Sequence, residues 1–158
     1  MSEILDSGTR REFATGAVRD ITEEKGRCDL MPLEVAAELG PKPLKYLAAF
    51  QESGDVVHLF SALQSFADRH YGASVPTMFL EVAKHYADGC KKYGEDNWKK
   101  GIPVKSYIDS GARHYFKLWR GDTDEAHDRA FVWNILSAIW TCKHLPELND
   151  YAKKEEKR

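Results

Sequence analysis

The stretch Pro76-Thr-Met-Phe-Leu-Glu-Val-Ala-Lys-His-Tyr-Ala-Asp-Gly-Cys-Lys-Lys-Tyr-Gly94 decides the fold. Proline suits a first helical turn and glycine a left-handed terminus, so the run reads as one long helix from Pro76 through Tyr93. Val82, Tyr86, Cys90 and Tyr93 form an apolar stripe along it. On the neighbouring face Glu81, His85, Asp88 and Lys92 recur at i, i+4, i+7 and i+11. A polar rail therefore borders a core-facing stripe.

The same punctuation recurs on either side. Pro32 and Gly40 bracket a short helix over 33–39, Pro43 opens a second that runs to about Ser53 before Gly54, and Asp55 caps a third. In the third, Val56, Phe60, Leu63 and Phe66/Ala67 recur at helical spacing until Gly72. Residues 94–103 read as a loop by their glycines and proline. Residues 105–119 form a helix with Ile108, Ala112, Tyr115 and Leu118/Trp119 inward, ended by Gly121. A last helix follows the acidic turn at 122–125 and continues to about Lys143, before Pro146. Residues 1–31 read as an irregular arm and 151–158 as a frayed tail. No alternating Val/Ile run calls for a sheet. The expectation is one all-α domain over 1–158, a bundle of about five to six helices with antiparallel neighbours.

Composition narrows the function. At 158 residues with 42% hydrophobic and 11% aromatic content, the chain suits one core, and no apolar run reaches the ~20 residues that span a bilayer. Its N-terminus shows no secretion signal, and its three cysteines, Cys28, Cys90 and Cys142, show no CxxC spacing. A cytoplasmic protein with reduced thiols and no membrane partner is expected. The net charge of −2 argues against duplex nucleic acid, whose phosphates need a strongly basic face. Small anions remain open as ligands.

Chemistry concentrates in Thr123-Asp-Glu-Ala-His-Asp-Arg-Ala-Phe-Val-Trp-Asn134. Asp124, His127 and Asp128 share a helical face, Glu125 and Asp128 make an ExxD pair, and the residues that follow, Trp133 among them, read as deep core. Three polar groups can meet in the cleft between long helices: Glu81/His85/Asp88, Asp109/Arg113/His114 and Asp124/Glu125/His127/Asp128. Carboxylates with imidazoles on facing helices are how a bundle holds a hard cation, here Mg²⁺ or Mn²⁺. For each residue taken singly the alternative is a solvated ion pair or a helix cap. Arg19, Lys25, Arg27, Lys92, Arg113 and Arg129 form a basic set suited to polyphosphate, and Trp98 with Tyr93 can stack a base. Asn134 lies on an apolar helix, where a buried amide needs partners. The His127-Asp128 doublet also allows an HD-phosphohydrolase reading with His85 and Asp150.

Five segments carry a resemblance: Thr15–Asp20, Lys25–Leu33, Lys91–Pro103, Asp109–His114 and Asp124–Asn134. Together they resemble the phage and prophage family of dATP/dGTP diphosphohydrolase N-terminal domains, in outline similar to the all-α MazG-like nucleotide pyrophosphatases, and the resemblance makes 40–76 a variable helical insert. The resemblance implies hydrolysis of purine deoxynucleoside triphosphates to monophosphate and pyrophosphate in a bacterial host cytoplasm, by a dimer or tetramer. Relatives of the MazG type hold metal with ExxE on one helix and ExxD on another. Glu125-Ala-His-Asp128 matches the second half, and Glu81, His85 and Asp88 stand where the first is missing. The leading expectation places Glu81, His85, Asp88, Glu125 and Asp128 around the metal, with Asp128, His127 or Glu125 orienting the attacking water. Arg19, Arg27, Lys92, Arg113 and Arg129 bind phosphate, and Asn97, Trp98 and Asn134 meet the nucleoside. The rival is a non-catalytic nucleotide-binding protein, such as a sponge for a host signalling nucleotide.

Overall fold

The computed structural model describes residues 9–21 and 24–153. Six helices carry the architecture: α1 (Leu33–Leu39), α2 (Lys42–Ser53), α3 (Val57–His70), α4 (Val75–Tyr93), α5 (Val104–Arg120) and α6 (His127–His144). Their ends follow the expected punctuation. Ser74 Oγ accepts the backbone N–H of Thr77 to cap α4, and Asp55 Oδ1 accepts from Val57 N at the start of α3. Gly54 and Gly121 take left-handed conformations behind α2 and α5.

α5 and α6 form an antiparallel pair, since Gly111 meets Asn134 and Ile135 while His114 meets His127. A Cβ on Gly111 would stand 3.2 Å from Ile135 Cδ1, so its lack of a side chain sets how closely the two helices approach. α4 runs parallel to α6: Glu81 bonds Arg129, His85 packs on Trp133, and Tyr86 shares a hydrogen bond with Ser137. α3 closes the other side through Phe66, stacked on Phe131 at 4.5 Å, with Tyr115 edge-on to both. The segment expected as an insert contributes Leu44, Leu47, Phe50, Leu59 and Phe66, all fully buried in the same core.

Two expectations need correction. The N-terminal arm is not wholly irregular: β1 (Arg10–Glu12) and β2 (Val18–Asp20) form an antiparallel hairpin pairing Arg11 with Arg19, and a 3-10 turn follows at Cys28–Leu30. These strands are three residues long and charged, too short for alternation to register. The tail begins packed, because Tyr151 sits edge-on to Phe50 at 5.4 Å and Asn149 Nδ2 donates to Gly54 O. Residues 154–158 of the expected tail, and 1–8 and 22–23 of the arm, lie outside the described residues. Cys28, Cys90 and Cys142 are free thiols. Among the described residues no helix is long and apolar enough to cross a membrane.

Phe131 is fully buried against two aromatic rings at the junction of α3, α5 and α6. Phe131→Ala is expected to cost about 3–5 kcal/mol of stability, measured by urea denaturation.

Candidate functional site

α6 floors a cavity of about 480 Å³, α4 and α5 wall it, and the β1–β2 hairpin roofs it. That size suits a small-molecule ligand. Trp133 and Asn134 rise from the floor, and Gly89 on α4 leaves one wall open because a Cβ there would meet nothing within 4 Å. The lining is strongly cationic: Arg11, Arg19, Lys25, Lys92, Arg113 and Lys117 face Asp20 and Glu125, six positive groups against two negative.

The hairpin register explains part of this surplus. Arg11 and Arg19 are directly opposed across the strands, so two guanidinium groups share one face, an arrangement that repels unless an anion joins it. Arg19 lies over Tyr107 and Trp133, with its carbon 5.5 and 5.4 Å from the ring centroids. Its Nη2 donates to Asn134 Oδ1 at 3.2 Å, and Asn134 Nδ2 donates to Ala130 O. Arg113 Nη2 donates to Asp109 Oδ1 (2.6 Å) and Gly26 O (2.8 Å). Yet Nε and Nη2 of Arg11, Nη1 of Arg19 and Nε of Arg113 are buried and find no partner among the described residues. Burial, and then its neighbour Arg19, pulls Arg11 below the usual guanidinium value, and burial does the same to Arg19. Desolvated cations with spare N–H groups are the counterpart of a bound anion.

The roof is pinned by polar contacts. Asn97, buried in the 3-10 turn after α4, accepts from Val18 N and donates to Val18 O. Asp20 accepts from Arg10, Lys92 and Tyr93 at 2.8–3.1 Å. Thr15 Oγ1 donates to Gly101 O.

At the α5–α6 end, His127 is buried between two partners. Its Nδ1 lies 2.9 Å from His114 Nδ1, and its Nε2 lies 2.6 Å from Asp124 Oδ1. Burial, reinforced by His127 and His85, holds His114 well below the ordinary imidazole value, so it is neutral at pH 7. His114 and Glu125 line the cavity beside this pair.

The expected site residues divide. Arg19, His85, Lys92, Asn97, Arg113, Glu125 and Asn134 line the cavity, although the amide of Asn97 is occupied by Val18. Arg27 instead pairs with Asp29, and Arg129 with Glu81. Asp128 accepts from Tyr71 Oη at 2.6 Å, tying α6 to the end of α3. Trp98 stacks edge-on to Tyr86 and Trp140, away from the main cavity. Trp133 is the aromatic that lines it. Asp150 accepts from Lys105 N at the start of α5, which removes it from an HD-type set. Arg11, Lys117 and Trp133 escaped the sequence reading: Arg11 points inward only by the hairpin register, and Trp133 sits in a run that reads as core.

The metal expectation can be compared with these positions. Among the described residues no three of Glu81, His85, Asp88, Glu125 and Asp128 bring ligand atoms within 4.8 Å of one another; the groups that do are His114/Glu125/His127 and Asp122/Asp124/His127. The five therefore do not fit a preformed Mg²⁺ cage, which takes oxygen ligands in near-octahedral array.

A family model described as dATP/dGTP diphosphohydrolase, N-terminal, matches residues 64–151, more than half of the chain. The chain belongs to that family. The part that matches the diphosphohydrolase model carries the floor and both walls of the cavity, while the hairpin with Arg11 and Arg19 precedes it. The uncharacterized protein y4bO of Sinorhizobium fredii (strain NBRC 101917 / NGR234) is 26% identical over 96 residues, or 60% of this chain. The aligned part spans only 14% of that relative's length. No solved structure matches the chain.

His85 supplies a test of the site's electrostatics. Burial lowers it from 6.5 to about 4, against the opposing pull of Asp88. Above pH 6.5 it is neutral whether folded or not; between 6.5 and 4 the unfolded chain takes up the proton and the folded one does not, so stability falls with acidification. The loss attributable to this group is about 3 kcal/mol by pH 4. Urea midpoints measured at pH 7 and pH 4.5 should drop less for His85→Gln than for the unaltered chain.

Proposed function

We propose that the cavity binds the triphosphate of a purine deoxynucleoside triphosphate and that the protein hydrolyses it to monophosphate and pyrophosphate. The observation that carries this reading is the opposed Arg11–Arg19 pair, with unpartnered N–H groups, over a floor bearing Trp133. The family's printed activity supplies the substrate class.

In this reading Arg11, Arg19 and Arg113 donate charge-assisted hydrogen bonds to phosphate oxygens, with Lys25, Lys92 and Lys117 adding positive field. Trp133 gives the base a flat apolar surface, and Asn134 holds Arg19 in place. Water attacks the α-phosphorus, forming one P–O bond; the bond from that phosphorus to the bridging oxygen breaks, and pyrophosphate leaves. The water's proton passes to a carboxylate oxygen of Glu125, which lines the cavity beside His114. Mg²⁺ or Mn²⁺ carried in with the triphosphate would supply charge neutralisation when bound.

A binding protein without catalysis is the second reading, favoured by the cationic surplus together with the missing ExxE half. Incubation with dATP, dGTP, ATP and GTP plus Mg²⁺ or Mn²⁺, followed by chromatography, separates the two. Monophosphate and pyrophosphate from the deoxypurine substrates are expected; bound nucleotide recovered unchanged after heat denaturation would replace hydrolysis with sequestration. Arg19→Gln should weaken nucleotide binding by about 10–100-fold, the equivalent of one charged hydrogen bond. Gly89→Phe should block binding while leaving the helical circular dichroism intact, because its side chain enters the open cavity.

A further inference from the structure

His114, Glu125 and His127 come from three successive pieces of chain: the third quarter of α5, the α5–α6 turn and the first residue of α6. One ligand atom from each lies within 4.8 Å of the others. The two imidazoles approach through like atoms, Nδ1 to Nδ1, at 2.9 Å. With metal–nitrogen bonds of about 2.0–2.1 Å, that separation subtends about 90° at a shared cation, the angle between adjacent ligands of a five- or six-coordinate ion.

We infer that His114 Nδ1, His127 Nδ1 and a Glu125 carboxylate oxygen form a resident site for a first-row divalent transition metal, of the Mn²⁺, Co²⁺ or Zn²⁺ kind. A two-imidazole, one-carboxylate set is the donor chemistry of such ions and not of Mg²⁺, which prefers oxygen alone. A second observation points the same way. His127 Nε2 is held by Asp124 Oδ1 at 2.6 Å, the carboxylate–histidine arrangement that orients a ligating imidazole and fixes its tautomer. With the Nε2 proton donated to Asp124, a neutral His127 directs its Nδ1 lone pair toward His114. Without metal, His114 Nδ1–H fills that lone pair; with metal, the cation takes the place of the proton and His114 carries its hydrogen on Nε2.

The competing cluster of Asp122, Asp124 and His127 is weaker as a site. Asp122 is paired with Arg120, and the Asp124 side chain is half exposed. His114 and Glu125 line the nucleotide-sized cavity, so the ion's open positions are available to a ligand held there. The inference is independent of hydrolysis, since the ion is bound without nucleotide.

The test is titration of chelator-treated full-length protein with Co²⁺ alone, followed by visible ligand-field absorption and by calorimetry. One equivalent per chain is expected, with an absorption band that Zn²⁺ bleaches and excess Mg²⁺ does not. Glu125→Gln, at a partly exposed position, and His114→Gln should each weaken binding at least about tenfold, and Asp124→Asn about 10–100-fold. Asp122→Asn should leave the affinity unchanged. Circular dichroism confirms that each variant is folded. No stoichiometric Co²⁺ binding by the unaltered protein, or binding that survives Glu125→Gln in a folded variant, overturns the assignment. Equal loss in Asp122→Asn would move the site to the other cluster and overturn it as well.

Discussion

Burying the guanidinium of Arg19 between Tyr107 and Trp133 removes it from water while leaving one of its nitrogens unpartnered, and much of the molecule is arranged around that constraint. Asn134 is buried on an otherwise apolar helix because it must accept from Arg19 and in turn donate to Ala130. The hairpin exists as a hairpin because β2 has to carry Arg19 over the floor, with Asn97 clamping Val18 one residue before it. Charge beside a core is expensive in isolation. It becomes intelligible when the cavity is made for something negative.

The two halves of the cavity are held by different physics. Floor and walls belong to the bundle, where Gly111 lets α5 and α6 approach and Phe66, stacked on Phe131 with Tyr115 edge-on, fixes α3 against them. The roof packs Ala17 and Phe13 against the core, and Asp20, Asn97 and Thr15 hold it through polar contacts. The family match covers the end of α3 and all of α4, α5 and α6, hence the floor and walls, and leaves out the roof together with α1 and α2.

The helices were legible because proline and glycine mark their ends and because each carries a stripe at helical spacing. The hairpin was not, since three charged residues per strand leave no alternation to read. Cavity-lining residues were legible where a basic or amide side chain lies beside or within an apolar stripe, as at Arg113, Lys92 and Asn134. The ExxD pair misled for a geometric reason. Residues at i and i+3 share a face only within a helix, and α6 begins at His127, so Glu125 lies in the preceding turn and Asp128 turns toward Tyr71. His114 was visible as part of a polar group, yet its contact with His127 depends on how α5 and α6 pack, which no local pattern encodes. Trp133 and Trp98 exchanged roles for a similar reason: the loop tryptophan found an aromatic stack, and the helical one was left at a cavity wall.

The polar attachment of the roof gives dissolved salt two points of action. Ions would screen the attraction between the cavity and an anionic ligand, and they also act on the Lys92–Asp20 ion pair that ties the hairpin to α4. Arg11 and Arg19 both sit on that hairpin, so any condition that unseats it would subtract from apparent affinity. If the cavity takes an anion as proposed, its capture should decline with ionic strength more steeply than the charges lining the cavity alone dictate.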